Sequence, residues 1–170
     1  MERTTQTIRC KKEIARFSKQ QNCTQLRSAL VILFLLIASC GIKAEETGLF
    51  NSAGQPVAYI DTSDPDMTIY LWNGTPVAYL SSSNNGYYNI FGFNGKHLGW
   101  YTNGVISDHN GYMVGFRKGA IDRYTQYEPY KSYKKRKPNK SYQQYIPYKP
   151  STRDVFSSES LSSFLTRGRK

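Results

Sequence analysis

The chain has very little of what most active sites are built from. No cysteine follows Cys40, so residues 41–170 can form neither a disulfide nor a catalytic thiol. Histidine is nearly as scarce. His97 and His109 are the only two, with no H-x-x-x-H or cysteine spacing beside them, so no metal site is expected; both read as surface turn chemistry. The acidic stretch "DTSDPD", Asp61 to Asp66, lacks the glycine and distal glutamate of a calcium loop and reads as a connector. No G-x-S-x-G nucleophile turn is present. These absences point to a non-catalytic protein without cofactor. A hydrolase depending on His97 or His109 is the least favoured alternative.

Long apolar runs are also lacking. The one candidate, Ala29 to Ala38, has ten residues, half of the about 20 needed to cross a bilayer. It follows a basic segment holding Arg9, Lys11, Lys12, Arg16, Lys19 and Arg27, and it ends in Ile37-Ala38-Ser39-Cys40. A positive segment before a short apolar run has the form of a signal peptide, and the last four residues resemble a bacterial lipobox. On that reading residues 1–40 are a signal region and Cys40 is lipidated, anchoring the protein to membrane lipid. The alternatives are cleavage after Ala44 and an uncleaved single-pass anchor helix. All three place the rest of the chain beyond the cytoplasmic membrane of a bacterial envelope.

Acid is scarce where base is abundant. Twelve Lys or Arg face four acids over 121–170, whereas 48–120 carries three bases and four acids. The formal charge of +11 therefore belongs to the ends and not to the middle. The cluster Lys134, Lys135, Arg136 and Lys137 suits an anionic envelope polymer or lipid. Export argues against nucleic acid as its partner.

What the middle does have is repetition. "GQPVAY" at Gly54, "GTPVAY" at Gly74, "GKHLGW" at Gly95 and "GYMVGF" at Gly111 share one frame, at spacings of 20, 21 and 16 residues. Each glycine closes a turn signal, and Asn-Gly between β-prone runs is a strong hairpin signal. Four hairpins, and so eight short strands, are expected over 48–120. Strict alternation puts Val57, Val77, Leu98 and Val114 on the same face as Tyr59, Tyr79, Trp100 and Phe116. The four aromatics would then converge as a central ring, filling the core or lining a pocket. Ala58, Ala78, Gly99 and Gly115 fall on the other face. So small a domain needs its sheet closed on itself.

Four such hairpins, with "IYLWNGTPVAYL", "FGFNGKHLGWY" and "GFRKGA", resemble the 4-fold β-flower domain family. The resemblance implies an all-β, fourfold-symmetric, shallow barrel-like flower and no particular reaction. It extends to the closing "SLSSFL", which is similar to the segment that ends the family's low-complexity tail.

Residues 121–158 form that tail here. From Tyr124 the chain reads in triplets, and seven of nine open with tyrosine: Tyr124, Tyr127, Tyr130, Tyr133, Tyr142, Tyr145 and Tyr148. Three residues per turn is the polyproline II period, which would align the rings in a stripe. A disordered tail is the expectation, and a semi-extended stalk touching an anionic polymer is the alternative. In the terminal segment, 159–165, Leu161, Phe164 and Leu165 share one helical face. A helix of one turn must dock on something, whether its own flower, a second copy or a partner protein. The function expected is binding or scaffolding at a membrane surface. The alternative is a reader of cell-wall glycan or choline that uses the repeat aromatics.

Overall fold

A computed structural model of the chain describes residues 46–83 and 85–169. The basic N-terminal segment, the apolar run with its proposed anchor helix and Cys40 lie outside the described residues. The described strands are β1 (Glu46–Phe50), β2 (Pro56–Asp61), β3 (Thr68–Leu71), β4 (Pro76–Ser82), β5 (Tyr88–Gly92), β6 (His97–Thr102), β7 (Val105–Ser107) and β8 (Met113–Arg117). Each pairs antiparallel with the next, and β8 returns to β1 through Leu49 opposite Arg117 and Phe50 opposite Phe116, closing a barrel. Closure leaves no open sheet edge, the exposure a small sheet can least tolerate.

The repeated glycine follows from turn geometry. Gly54, Gly74, Gly95 and Gly111 sit at φ of 73°, 76°, 84° and 82°, a left-handed region in which a Cβ is strained. Each donates its N–H back across the turn, to Asn51, Leu71, Gly92 and Asp108 respectively. The side chains of Asn51, Asn73, Asn94 and Asp108 accept from backbone N–H groups in the same four turns.

Strict alternation fails at one point in every hairpin. Pairing runs from Leu49 opposite Ala58 to Phe50 opposite Pro56, leaving Val57 without an opposite residue. The same jump leaves out Val77, Leu98 and Val114. The four aliphatics of the repeat are therefore four bulge residues. A bulge sets two consecutive residues against one partner and interrupts the period of two, so aliphatic and small residue turn inward together and the aromatic turns out. Leu49, Ala58, Ile60, Ile69, Val77, Ala78, Leu80, Ile90, Leu98, Ile106 and Val114 form one buried cluster, with Val57 packed against it. None of Tyr59, Tyr79, Trp100 and Phe116 belongs to that cluster. The expected central ring of repeat aromatics is thus corrected: the strands fill the barrel's centre with aliphatic side chains.

The interior is completed from the C-terminus. Helix α1 (Leu161–Thr166) is capped by the Ser160 side chain, which accepts from Ser163 N–H. Its Leu161, Phe164 and Leu165 are at most 1% exposed and join the barrel cluster. Of the possible docking surfaces, this helix uses its own barrel. Small residues make the room: a Cβ on Gly115 would lie 2.7 Å from Leu161 Cδ2, and one on Gly99 would lie 3.0 Å from Phe164 Cζ. A six-residue helix has no stability of its own, so burial of these side chains, worth about 1.5–3 kcal/mol each, holds it in place.

Phe164→Ala is accordingly expected to lower the unfolding free energy by about 3–5 kcal/mol. Ser162→Ala, on the exposed side of α1, should change it by less than about 0.5 kcal/mol. Urea midpoints of the two variants against the parent chain check both.

Candidate functional site: an aromatic belt under a basic collar

Turned outward by the bulges, the repeat aromatics pair across the seams between hairpins. Tyr59 on β2 stacks on Tyr70 of β3 at 5.7 Å and meets Trp72 at 5.3 Å. Tyr79 on β4 packs on Phe91 and Phe93 at 6.0 and 5.6 Å. Phe116 on β8 meets Phe50 of β1, and Phe156 of the tail, at 6.1 Å each. Trp100 on β6 faces Ser107 in register, and the imidazoles of His97 and His109 fill that gap at 4.9 and 5.5 Å. The belt lies outside the barrel, yet Tyr59, Tyr79, Trp100 and Phe116 are at most 1% exposed.

The cover is the segment expected to be a disordered tail, and that expectation is corrected. The N–H groups of Gln126, Lys135, Gln144 and Arg153 donate to the carbonyls of Gly54, Gly74, Gly95 and Gly111 at 2.7–2.8 Å. The four donors are nine residues apart. Ser132 and Ser141, also nine apart, donate to Trp72 and Phe93 at 3.0 and 2.9 Å. Three triplets therefore span one hairpin, and the segment encircles the barrel as a collar. A Cβ at Gly54, Gly74 or Gly95 would collide with the carbonyl oxygen of Tyr124, Tyr133 or Tyr142. The glycines that permit the turns thus also admit the collar.

Within the triplets the second place faces the barrel. Lys131 Nζ lies 2.5 Å from Glu46, and Lys134 lies 2.8 Å from Glu46 and 2.5 Å from Asp61. Lys137 pairs with Asp64 at 2.6 Å, and Lys140 with Asp66 at 2.7 Å. The same ammonium groups lie over rings of the belt: Lys131 is 5.0 Å from the centre of Tyr59, and Lys140 is 4.2 Å from that of Tyr79. Each such contact contributes about 0.5–1 kcal/mol at an exposed site. Gln143 donates to Tyr79 Oη at 3.0 Å.

Of the four residues expected to meet an anionic surface, Lys134 and Lys137 are thus occupied by the barrel's own carboxylates. Lys135 donates to Thr75 Oγ1 at 3.0 Å, and Arg136 is exposed. The acidic connector is the collar's docking site. Sequence reasoning missed it, although the signal was there: Asp61 and Asp64 are three apart, as are Lys134 and Lys137. Burial raises the pKa values of Glu46, Asp61 and Asp64, but their lysine contacts, joined by hydrogen bonds from Ser63 to Asp61 and from Thr68 and the Asp66 N–H to Asp64, outweigh it and hold all three below the ordinary range. Lys134 moves the opposite way: burial lowers its pKa, while hydrogen bonds and charge from Asp61 and Glu46 raise it well above normal.

His97 and His109 were both expected to be surface turn chemistry. His109 is exposed in its turn, whereas His97 is 4% exposed, with Nδ1 2.9 Å from His109 Nε2. Burial first, then the neighbouring His109, brings the His97 pKa down to about 4. Burial first, then Arg167, also lowers that of His109. One ring must donate and the other accept, so the accepting ring is neutral. Among the described residues, no group of three or more His, Cys, Asp or Glu is placed to hold a metal ion.

The sequence model of the 4-fold beta flower protein family matches residues 47–165. The chain belongs to the 4-fold beta flower protein family. The match includes the collar and α1 as well as the four hairpins, so a boundary at residue 120 does not divide this flower. No curated protein and no solved structure matches the chain.

The flower should lose stability in acid through two groups of sites. Glu46, Asp61 and Asp64 have depressed folded pKa values, so their contribution is present above the ordinary carboxylate range and is lost as pH falls through and below about 4. His97, whose pKa falls from 6.5 to about 4, resists the protonation that the unfolded chain accepts. It removes up to roughly 3 kcal/mol between those two pH values. Urea midpoints measured from pH 7 to pH 3 should fall throughout, and His97→Gln should flatten the part above pH 5. Lys134→Met with Lys137→Met should open the collar, seen as faster tryptic cleavage within 121–158.

Proposed function

We propose that this flower is a non-catalytic binding or scaffolding module of the bacterial cell envelope, held at a membrane by lipid on Cys40 and facing away from the cytoplasm. The observation that carries the binding role is the outward surface of the collar. Its seven triplet-opening tyrosines are 77–102% exposed, while the lysines beside them turn inward. Large aromatic rings left in water and held in a fixed array favour contact with a partner. The filled interior supports a role without catalysis, and so does His97, which is buried with its pKa held down.

The geometry changes how binding is proposed to work. Reading a glycan or choline with Tyr59, Tyr79, Trp100 and Phe116 has little support, because the collar covers those rings. An anionic polymer held by Lys134 and Lys137 has little support either, because their charges are already paired. The proposed lipid anchor rests on the residue pattern from Arg9 to Cys40. No helix among the described residues is long and apolar enough to cross a membrane. Two or more acyl chains would hold the protein firmly, whereas one binds only marginally.

Mass spectrometry of protein extracted from membranes with mild detergent tests the anchor. The expected result is a chain beginning at Cys40 with acyl chains attached, and Cys40→Ser should leave the membrane fraction. A chain beginning at Glu45, or at Met1 without lipid, would remove the anchor.

A further inference from the structure

The tyrosines left outside the collar fall into two rows. One runs Tyr124, Tyr127, Tyr130 and Tyr133, and the other Tyr142, Tyr145 and Tyr148; the triplets opening with Arg136 and Asn139 separate them. Exposures of 77–102% mean that each ring stands nearly clear of the barrel and of its neighbours. In an extended chain of three residues per turn, successive rings are about 9 Å apart. The rows are separate platforms at regular intervals along a line, not a continuous apolar patch.

Charge and placement narrow the partner. With Lys131, Lys134, Lys137 and Lys140 turned toward Glu46, Asp61, Asp64 and Asp66, the outward side of the rows is mainly aromatic and phenolic. It suits a neutral partner better than an anionic one. The collar bonds to all four hairpin turns, from Gly54 round to Gly111, so the exposed rings are strung along its course from turn to turn. A linear polymer could follow either row.

We infer that the two tyrosine rows bind a neutral, linear glycan, stacking pyranose C–H faces on the rings while phenol hydroxyls meet sugar hydroxyls. Tyrosine suits this contact because its face is apolar and its tip is polar. The inference deepens the binding role proposed above and rests on its placement outside the cytoplasmic membrane, where such polymers lie.

Cosedimentation of the full chain in mild detergent with insoluble chitin, cellulose and purified peptidoglycan tests it. Retention on chitin or cellulose is expected, undiminished by added salt, and retention on the carboxylate-bearing peptidoglycan alone would overturn the inference. The variants Tyr127→Ser/Tyr130→Ser/Tyr133→Ser and Tyr142→Ser/Tyr145→Ser/Tyr148→Ser should each weaken it by more than about tenfold. The corresponding Tyr→Phe variants should retain most of the affinity, and melting curves should be unchanged because these rings are exposed. No retention on any polymer, or retention unaffected by both serine triples, would overturn the inference. So would finding that the serine triples abolish binding to phosphatidylglycerol vesicles, or self-association, but not glycan retention. Cell fractionation separates the two proposals: a cytoplasmic protein would end the envelope reading even if the purified chain held chitin.

Discussion

One extra residue in the second strand of each hairpin decides which side chains share a face, and the rest of the molecule follows from that. Because Val57, Val77, Leu98 and Val114 are bulged, each turns inward with the small residue after it. The aromatic that comes next is sent outside. Inside, Ala58, Ala78, Gly99 and Gly115 leave space between the aliphatics, and α1 fills it. Outside, large rings need shelter from water, and the collar provides it. Both C-terminal pieces thus answer needs created by the bulges.

The collar illustrates how a segment with no helix or strand ladder of its own can be ordered. Fixing each backbone residue costs about 1–2 kcal/mol, and an exposed ion pair returns about 0–1 kcal/mol, so its lysines could not hold it alone. Hydrogen bonds to the turn carbonyls, cation–π contacts and coverage of the belt act together. They can do so because nine residues of collar match one hairpin of barrel. Where the polypeptide departs from its triplets, after Pro150, Phe156 takes over by packing on Phe116.

Fourfold symmetry is incomplete at one seam. Asn103 and Gly104, at φ of 51° and 85°, join β6 to β7 in a tight turn. This accounts for the shorter spacing of 16 residues between the last two repeats. Ser107 stands where the other seams place an aromatic, and the histidine pair occupies the vacated volume. The acid-sensitive imidazoles are therefore part of the belt's packing.

Local physics made much of this readable from the residues alone. The four glycines, their Asn-Gly turns and the need to close a small sheet announce four hairpins, because turn conformation is set by a few neighbouring dihedrals. The spacing of Leu161, Phe164 and Leu165 announces a docking helix, and the tyrosine triplets announce an extended stripe. Faces were not readable, since a bulge exists only relative to the opposite strand and one inserted residue reverses every assignment after it. Nor was the collar, whose lysines read as free until Asp61 and Asp64 came within reach across 73 residues of chain. The sequence alone therefore determined the repeats, the turns and the periods, which depend on near neighbours. Only the tertiary structure decided which rings are sheltered, which charges are paired and which tyrosines remain outside, because those depend on the register between distant segments.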